Sequence, residues 1–178
     1  CHEEQAVAAL EAGVPVYLEK PMAIRIEGCD RILRAAKLTK TPLMLGHNMR
    51  YMTFTRKMKE IIDSGVIGEV KAIWCRHFVG YGGDAYFRDW HAEREKSTSL
   101  LLQKGAHDID IIHWLAGAYS ARVSAIGSLL LYDGLPRRES GDTGPVDVSF
   151  NEAHWPPEQQ SGFNPVIDVE DINMMTMH

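Results

Sequence analysis

Lys20, at the end of the apolar run VYLE and followed at once by Pro21, and His107, with Asp110 three residues further on, are the side chains best suited to move a proton. Lys20 is a compact cation that can donate a proton or stand beside a developing alkoxide. Glu19 either holds that ammonium in place or bonds a ligand hydroxyl, and Pro21 stiffens the turn by fixing φ. His107 and Asp110 fall on one face of a helix, where an imidazole beside a carboxylate can accept an alcohol proton and pass it on. Tyr86, Arg88 and Trp90, within YFRDWHAE, are residue types that stack on and hydrogen-bond a polyhydroxylated ligand. Gln103 and Lys104, at the entry to the His107 helix, complete the candidate substrate contacts. Each cluster also has a plain structural reading. Glu19 and Lys20 read as the solvated tail of a strand, His107 and Asp110 as a paired helix start, and the aromatic loop as an anchor to its own domain.

The elements that must position these groups follow from periodicity. Residues 3–12 place Ala6, Val7, Ala9 and Leu10 on one helical stripe, with Gly13 ending it. VPVYLE then reads as a short strand buried on both faces, with Pro15 at its entry. A helix over IEGCDRILRAAKLT carries Ile26, Ile32, Leu33 and Ala36 on its apolar side, and TPLMLGHN supplies a second strand. Strand, helix, strand of this kind pairs in parallel with a right-handed crossover. In such a sheet ligands bind outside the carboxyl ends of the strands, which is where LEKP and LGHN lie.

Beyond GHNMRY the texture changes. The spacing predicts a helix ending near Ser64 and Gly65, an alternating strand over KAIWCRHFVG, an aromatic loop from Gly80 to His91, and a helix from about Gly105 to Leu115. ARVSAIGSLLLY reads as a strand, residues 133–168 as a long loop, and the closing DINMMTMH as a further alternating run. The fold class is therefore α/β: the C-terminal part of a Rossmann-type parallel sheet over residues 1–47, followed over residues 48–178 by an α+β domain with a mostly antiparallel open sheet. Starting at Cys1 on a helix already under way, the chain reads as part of a longer one.

Composition narrows the function classes. The 178 residues are 45% hydrophobic and 24% charged, which suits a packed globular core. A formal charge of -5 without basic runs argues against nucleic acid or an anionic membrane surface. No apolar stretch approaches a membrane span, and three scattered cysteines with no CxxC pair suggest neither disulfides nor a thiolate metal site, so a cytoplasmic setting is expected. His107, Asp108, Asp110 and His113 do not converge at helical angles, so no metal is expected. GYGG at 80–83 lacks the strand-to-helix context of a phosphate loop.

HEEQAVAALEAGVPVYLEKPMA, GHNMRY, IIDSGVIGEV and GAHDIDIIHWLAG, in this order, resemble the glucose-fructose oxidoreductase, inositol 2-dehydrogenase and MocA-type oxidoreductases. The resemblance implies a Rossmann domain binding NAD or NADP and a second domain supplying substrate contacts and a homo-oligomer interface through its sheet. It implies catalytic roles for Lys20, His107 and Asp110, and cofactor contacts from Glu19, Lys20, Pro21, Asn48 and Arg50. The implied reaction passes a hydride between NAD(P) and a carbinol carbon of a sugar, inositol or related polyol. Two alternatives stay open: a redox-neutral, NAD-dependent cleavage of glycosides, and a non-catalytic sugar-binding protein of the same fold. Two departures stand out. Many members carry Asp-x-Gly-x-His where this chain has Gln103, Lys104, Gly105, Ala106 and His107, and no GxGxxG occurs, which places the pyrophosphate loop upstream of Cys1.

Overall fold

The computed structural model describes residues 2–80, 83–142, 146–147 and 155–178. The chain packs as two compact units, Cys1–Trp74 with Gly105–Tyr119, and Cys75–Lys104 with Ser120–His178. This discontinuous division differs from a single cut near residue 48. A helix late in the sequence packs on elements that follow the second strand, so packing and chain order divide the molecule differently.

The first unit begins with α1 (His2–Glu11), β1 (Val16–Glu19), α2 (Ile26–Thr39) and β2 (Leu43–Gly46). The strands pair in parallel, Val16 with Leu43 through Glu19 with Gly46, as the strand, helix, strand pattern requires. Ala6 and Leu10 of α1, Leu18 of β1, Ala23, and Ile32 and Ala35 of α2 form the core. The buried Thr41 hydroxyl donates to the Leu10 carbonyl and ties the start of β2 to the end of α1.

Two burial expectations are corrected here. The sheet is covered on one face only, because Tyr17 and Met44 alternate away from the helices and stay exposed. The buried face of α2 runs through Gly28, Ile32 and Ala35, leaving Ile26 and Leu33 exposed. The cause is the close approach of α1. A Cβ on Gly28 would stand 2.5 Å from Glu3 Oε2 and 2.9 Å from the Ala23 methyl, so the glycine turns this side of α2 inward.

A 3-10 turn at Asn48–Tyr51 leads into α3 (Thr53–Asp63), which stops at Ser64 and Gly65 where the sequence predicts. The run Lys71–Gly80 forms no strand, contrary to its alternating pattern. Alternation sets two faces but creates no ladder, and no described strand runs beside these residues. Trp74 and Phe78 are accordingly 93% and 86% exposed.

The second unit holds the one-turn helices α4 (Ala85–Arg88) and α5 (Arg94–Ser97), with a 3-10 turn at Trp90–Ala92 between them. A π-helical turn at Leu101–Gly105 runs directly into α6 (Ala106–Ala116) of the first unit, which ends on Gly117 in the left-handed region. β3 (Val123–Ser128) and β4 (Ile172–Met177) form an antiparallel pair, Val123 opposite Met177, with β3 exposed along its length. The second core stacks Phe87 on Tyr132 at 3.8 Å, beside Phe163, Ile167 and Val169. Burial of Tyr132, with Asp84 and Asp171 nearby, pushes its phenol well above the usual range. No helix among the described residues is long and apolar enough to cross a membrane.

Candidate active site

In the first unit, Glu19 and Gly46 are the last partners of the parallel pair, so Lys20 and His47 leave the sheet side by side at its carboxyl edge. The Lys20–Pro21 peptide is cis, and the imidazole of His2 on α1 donates through Nδ1 to the Pro21 carbonyl at 2.8 Å, holding the turn after Lys20 to the helix. Asn48 is exposed just past the edge.

α6 lies against the Asn48–Tyr51 turn and α3. Its Asp110 receives Arg50 through both carboxylate oxygens, Nε at 2.7 Å and Nη2 at 2.5 Å. The Asp110 hydrogen bonds hold the Arg50 guanidinium above its usual range, against the opposing effect of burial. The guanidinium also lies 5.6 Å from the Trp114 ring one helical turn on. His47 turns its Nδ1 to within 3.8 Å of the same carboxylate and meets the His107 ring edge-on, centroids 6.3 Å apart. One cluster thus gathers His47, Arg50, His107 and Asp110, with Lys20 following the neighbouring strand end.

The structure therefore gives two sequence-predicted residues an additional task. Asp110 spends both oxygens on Arg50, and Arg50 clamps the segment after β2 onto α6. His47 belongs to the cluster although the sequence does not single it out. Its only signal there is its place one residue beyond an apolar strand end in LGHN.

In the second unit, Lys104 Nζ sits 4.5 Å from the centre of the Tyr86 ring. Tyr86 meets His91 edge-on at 5.2 Å, and His91 stacks on Trp90 at 3.8 Å while its Nδ1 lies 2.6 Å from Asp89 Oδ1. Tyr86, Trp90 and Lys104 are thus joined through His91, which is not among the sequence-predicted contacts, into a partly exposed aromatic platform.

Arg88 and Gln103 do not join it. Arg88 is buried, pairs with Asp84, donates to the Ser161 carbonyl at 3.0 Å and lies over the Phe163 ring. Gln103 is buried and its Nε2 donates to the Ser97 carbonyl at 3.2 Å. Both side chains serve the packing of their own unit, and the substrate contacts expected of them are not supported by this placement. Among the described residues, no group of three or more His, Cys, Asp or Glu could hold a metal ion. Tyr81 and Gly82 of GYGG lie outside the described residues.

For a dinucleotide, the donor set fits one end only. An ammonium from Lys20 and an exposed carboxamide from Asn48 stand at the carboxyl edge of two parallel strands, which suits a nicotinamide and its ribose.

Two family models match the chain: residues 1–47 match the oxidoreductase family, NAD-binding Rossmann fold, and residues 55–176 match the GFO/IDH/MocA C-terminal domain. An inositol 2-dehydrogenase of Serratia proteamaculans is 36% identical over 115 residues, covering 64% of this chain and 32% of that protein. A 2,7-anhydro-N-acetylneuraminate hydratase of Mediterraneibacter gnavus is 28% identical over 167 residues, covering 87% of this chain and 44% of the relative. The crystal structure of an oxidoreductase domain protein from Kribbella flavida superposes with a TM-score of 0.74 at 22% identity, covering 99% of this chain and 43% of that one, a likeness of fold. The chain spans a third to under half the length of these proteins.

Proposed function

Because the chain belongs to the GFO/IDH/MocA oxidoreductase family, we propose that it forms part of an enzyme passing a hydride between NAD or NADP and a carbinol carbon of a sugar, inositol or related polyol. The observations that support this reading are that Lys20 and His47 directly follow the last paired residues of the two parallel strands and that His47 meets His107 edge-on. The hydride chemistry is supplied by the nicotinamide when it is bound. The chain's own residues manage the proton and the ligand. The His107 imidazole is the group proposed to meet a substrate hydroxyl and take its proton. The Lys20 ammonium stabilises the oxygen as negative charge develops on it. Glu19, Lys20, Pro21 and Asn48 border the nicotinamide, and Arg50 and Asp110 hold His107's helix to that border; within the second unit, Tyr86, Trp90 and Lys104 are groups of the kind that stack on and hydrogen-bond a polyol.

In the full-length gene product, Lys20→Ala and His107→Ala should each lower turnover by roughly 10²–10⁴-fold, the range typical of a lost acid–base group. Cofactor affinity should change far less. Turnover retained in both variants would sink the assignment. A second reading is favoured by the hydratase relative, which matches over 87% of this chain and whose name denotes addition or removal of water: a reaction with no net oxidation or reduction of substrate. Accumulation of reduced nicotinamide with substrate separates the two, since only the dehydrogenase builds it up.

A further inference from the structure

We propose that His2 is a positioning residue for Lys20: its imidazole orients the turn from which the ammonium projects, so that losing His2 lowers turnover only through Lys20. This deepens the proposed role of Lys20 beside the developing charge and rests on it. His2, on α1, bonds the Pro21 carbonyl through Nδ1 at 2.8 Å, across nineteen residues of chain. A carbonyl only accepts, so the ring carries a proton on Nδ1.

Lys20 stands between two fixed points. Behind it, Glu19 is held in register opposite Gly46 by the parallel ladder. Ahead of it, the proline ring fixes φ at Pro21, so a bond that holds the Pro21 carbonyl also holds the ring and the peptide plane that Lys20 shares with it. The support that carries His2 is itself anchored, since Ala6 and Leu10 of α1 lie in the first core together with Ala23, two residues past Pro21. Apolar packing at Ala23 sets the depth of the turn but has no direction. The hydrogen bond from His2 supplies the orientation. A long side chain enlarges any rotation at its base, and a displacement of about 1 Å at a reacting centre costs up to about 10²-fold in rate.

The test uses the full-length gene product and three variants. His2→Leu keeps bulk without a donor, His2→Gln keeps an amide but sets it one bond further out, and His2→Asn places its amide nitrogen where Nδ1 stands. Leucine and glutamine should lower kcat by roughly 10- to 10²-fold with KM little changed, and asparagine should restore most of it. In a Lys20→Ala background His2→Leu should lower kcat no further. With lysines labelled at ¹³Cε, the Lys20 signal, assigned by its loss in Lys20→Ala, should move in the leucine and glutamine variants and return in the asparagine variant. A Lys20 signal unmoved in both, or a His2→Leu loss as large without Lys20 as with it, would overturn the proposal. Full turnover in Lys20→Ala would instead defeat the functional reading; the ¹³Cε signal is read without turnover and decides separately whether His2 orients Lys20.

Discussion

Replacing Arg50 with leucine is expected to cost the first unit about 2–3 kcal/mol, and replacing Asp110 with asparagine about 1–1.5 kcal/mol. The asymmetry comes from exposure. The Asp110 side chain is 11% exposed and the Arg50 side chain 33%. Loss of Arg50 leaves a mostly buried carboxylate with His47 Nδ1 at 3.8 Å, which is near the situation in which stranding one member of a buried pair costs about 3–5 kcal/mol. Loss of the Asp110 charge leaves a guanidinium that can still reach water and rest against Trp114, and asparagine keeps one acceptor for it. The magnitude for Arg50 is placed below the fully buried case because a third of that side chain is solvated, and above the roughly 0.2–1 kcal/mol of an exposed pair because the bonding is bidentate. With a urea m-value of about 1–3 kcal/mol/M, the Arg50→Leu midpoint should fall by roughly 1–2 M. Trp114 reports the transition, since Trp74 of the same unit is already exposed, and Trp90 and Trp155 can be replaced by phenylalanine beforehand. A double-mutant cycle isolates the pair, with an expected coupling of about 1.5–2 kcal/mol. Equal costs for the two single substitutions, or a coupling below about 0.5 kcal/mol, would refute the reasoning.

Gly28→Ala should destabilise by about 1–2 kcal/mol although alanine is the better helix former by about 1 kcal/mol, because the added methyl meets the Ala23 methyl at 2.9 Å and cannot displace it as it could the flexible Glu3. A raised thermal midpoint would show that the α1–α2 approach relaxes freely. Glu93 is held below its ordinary value: burial opposes this, but hydrogen bonds from Lys96 and Asn164 outweigh it. A lowered folded value means that its contribution to the second unit is present above the unfolded value and lost as pH falls through the folded one. The wild type should therefore lose stability more steeply than Glu93→Gln below about pH 4.5, and parallel urea midpoints between about pH 6 and 3 would contradict this.

Local signals in the chain locate most elements. Gly65 and Gly117 stand in the left-handed region just beyond α3 and α6, where a helix C-terminus calls for a residue without a Cβ penalty. The parallel pairing of β1 and β2 follows from a crossover too long for a hairpin. What periodicity cannot supply is the partner of each face. Ile26 and Leu33 have helical spacing, yet the neighbour of α2 is α1, whose approach is dictated by Gly28. Trp74 and Phe78 alternate as strand residues do, yet no described ladder receives them. Arg88 has the look of a ligand contact because its partners, Ser161 and Phe163, lie more than seventy residues away in the chain. His47 is illegible for the same reason: its meaning comes from Asp110 and His107, on a helix about sixty residues later.

Under the proposed function, the cluster in the first unit links stability to catalysis in a way the second unit does not. The Arg50–Asp110 clamp binds the segment after β2 to α6, and the same two elements carry His47 and His107. A substitution that loosens the clamp therefore moves His107, the proposed proton acceptor, relative to the sheet edge that Lys20 follows, and under the proposed function a stability loss there should appear in turnover as well. In the second unit, Arg88, Asp84 and Gln103 are bound up with core and backbone partners, while the Tyr86, Trp90 and Lys104 platform is joined through His91. Substitutions of the platform, the proposed polyol contacts, leave those core bonds in place.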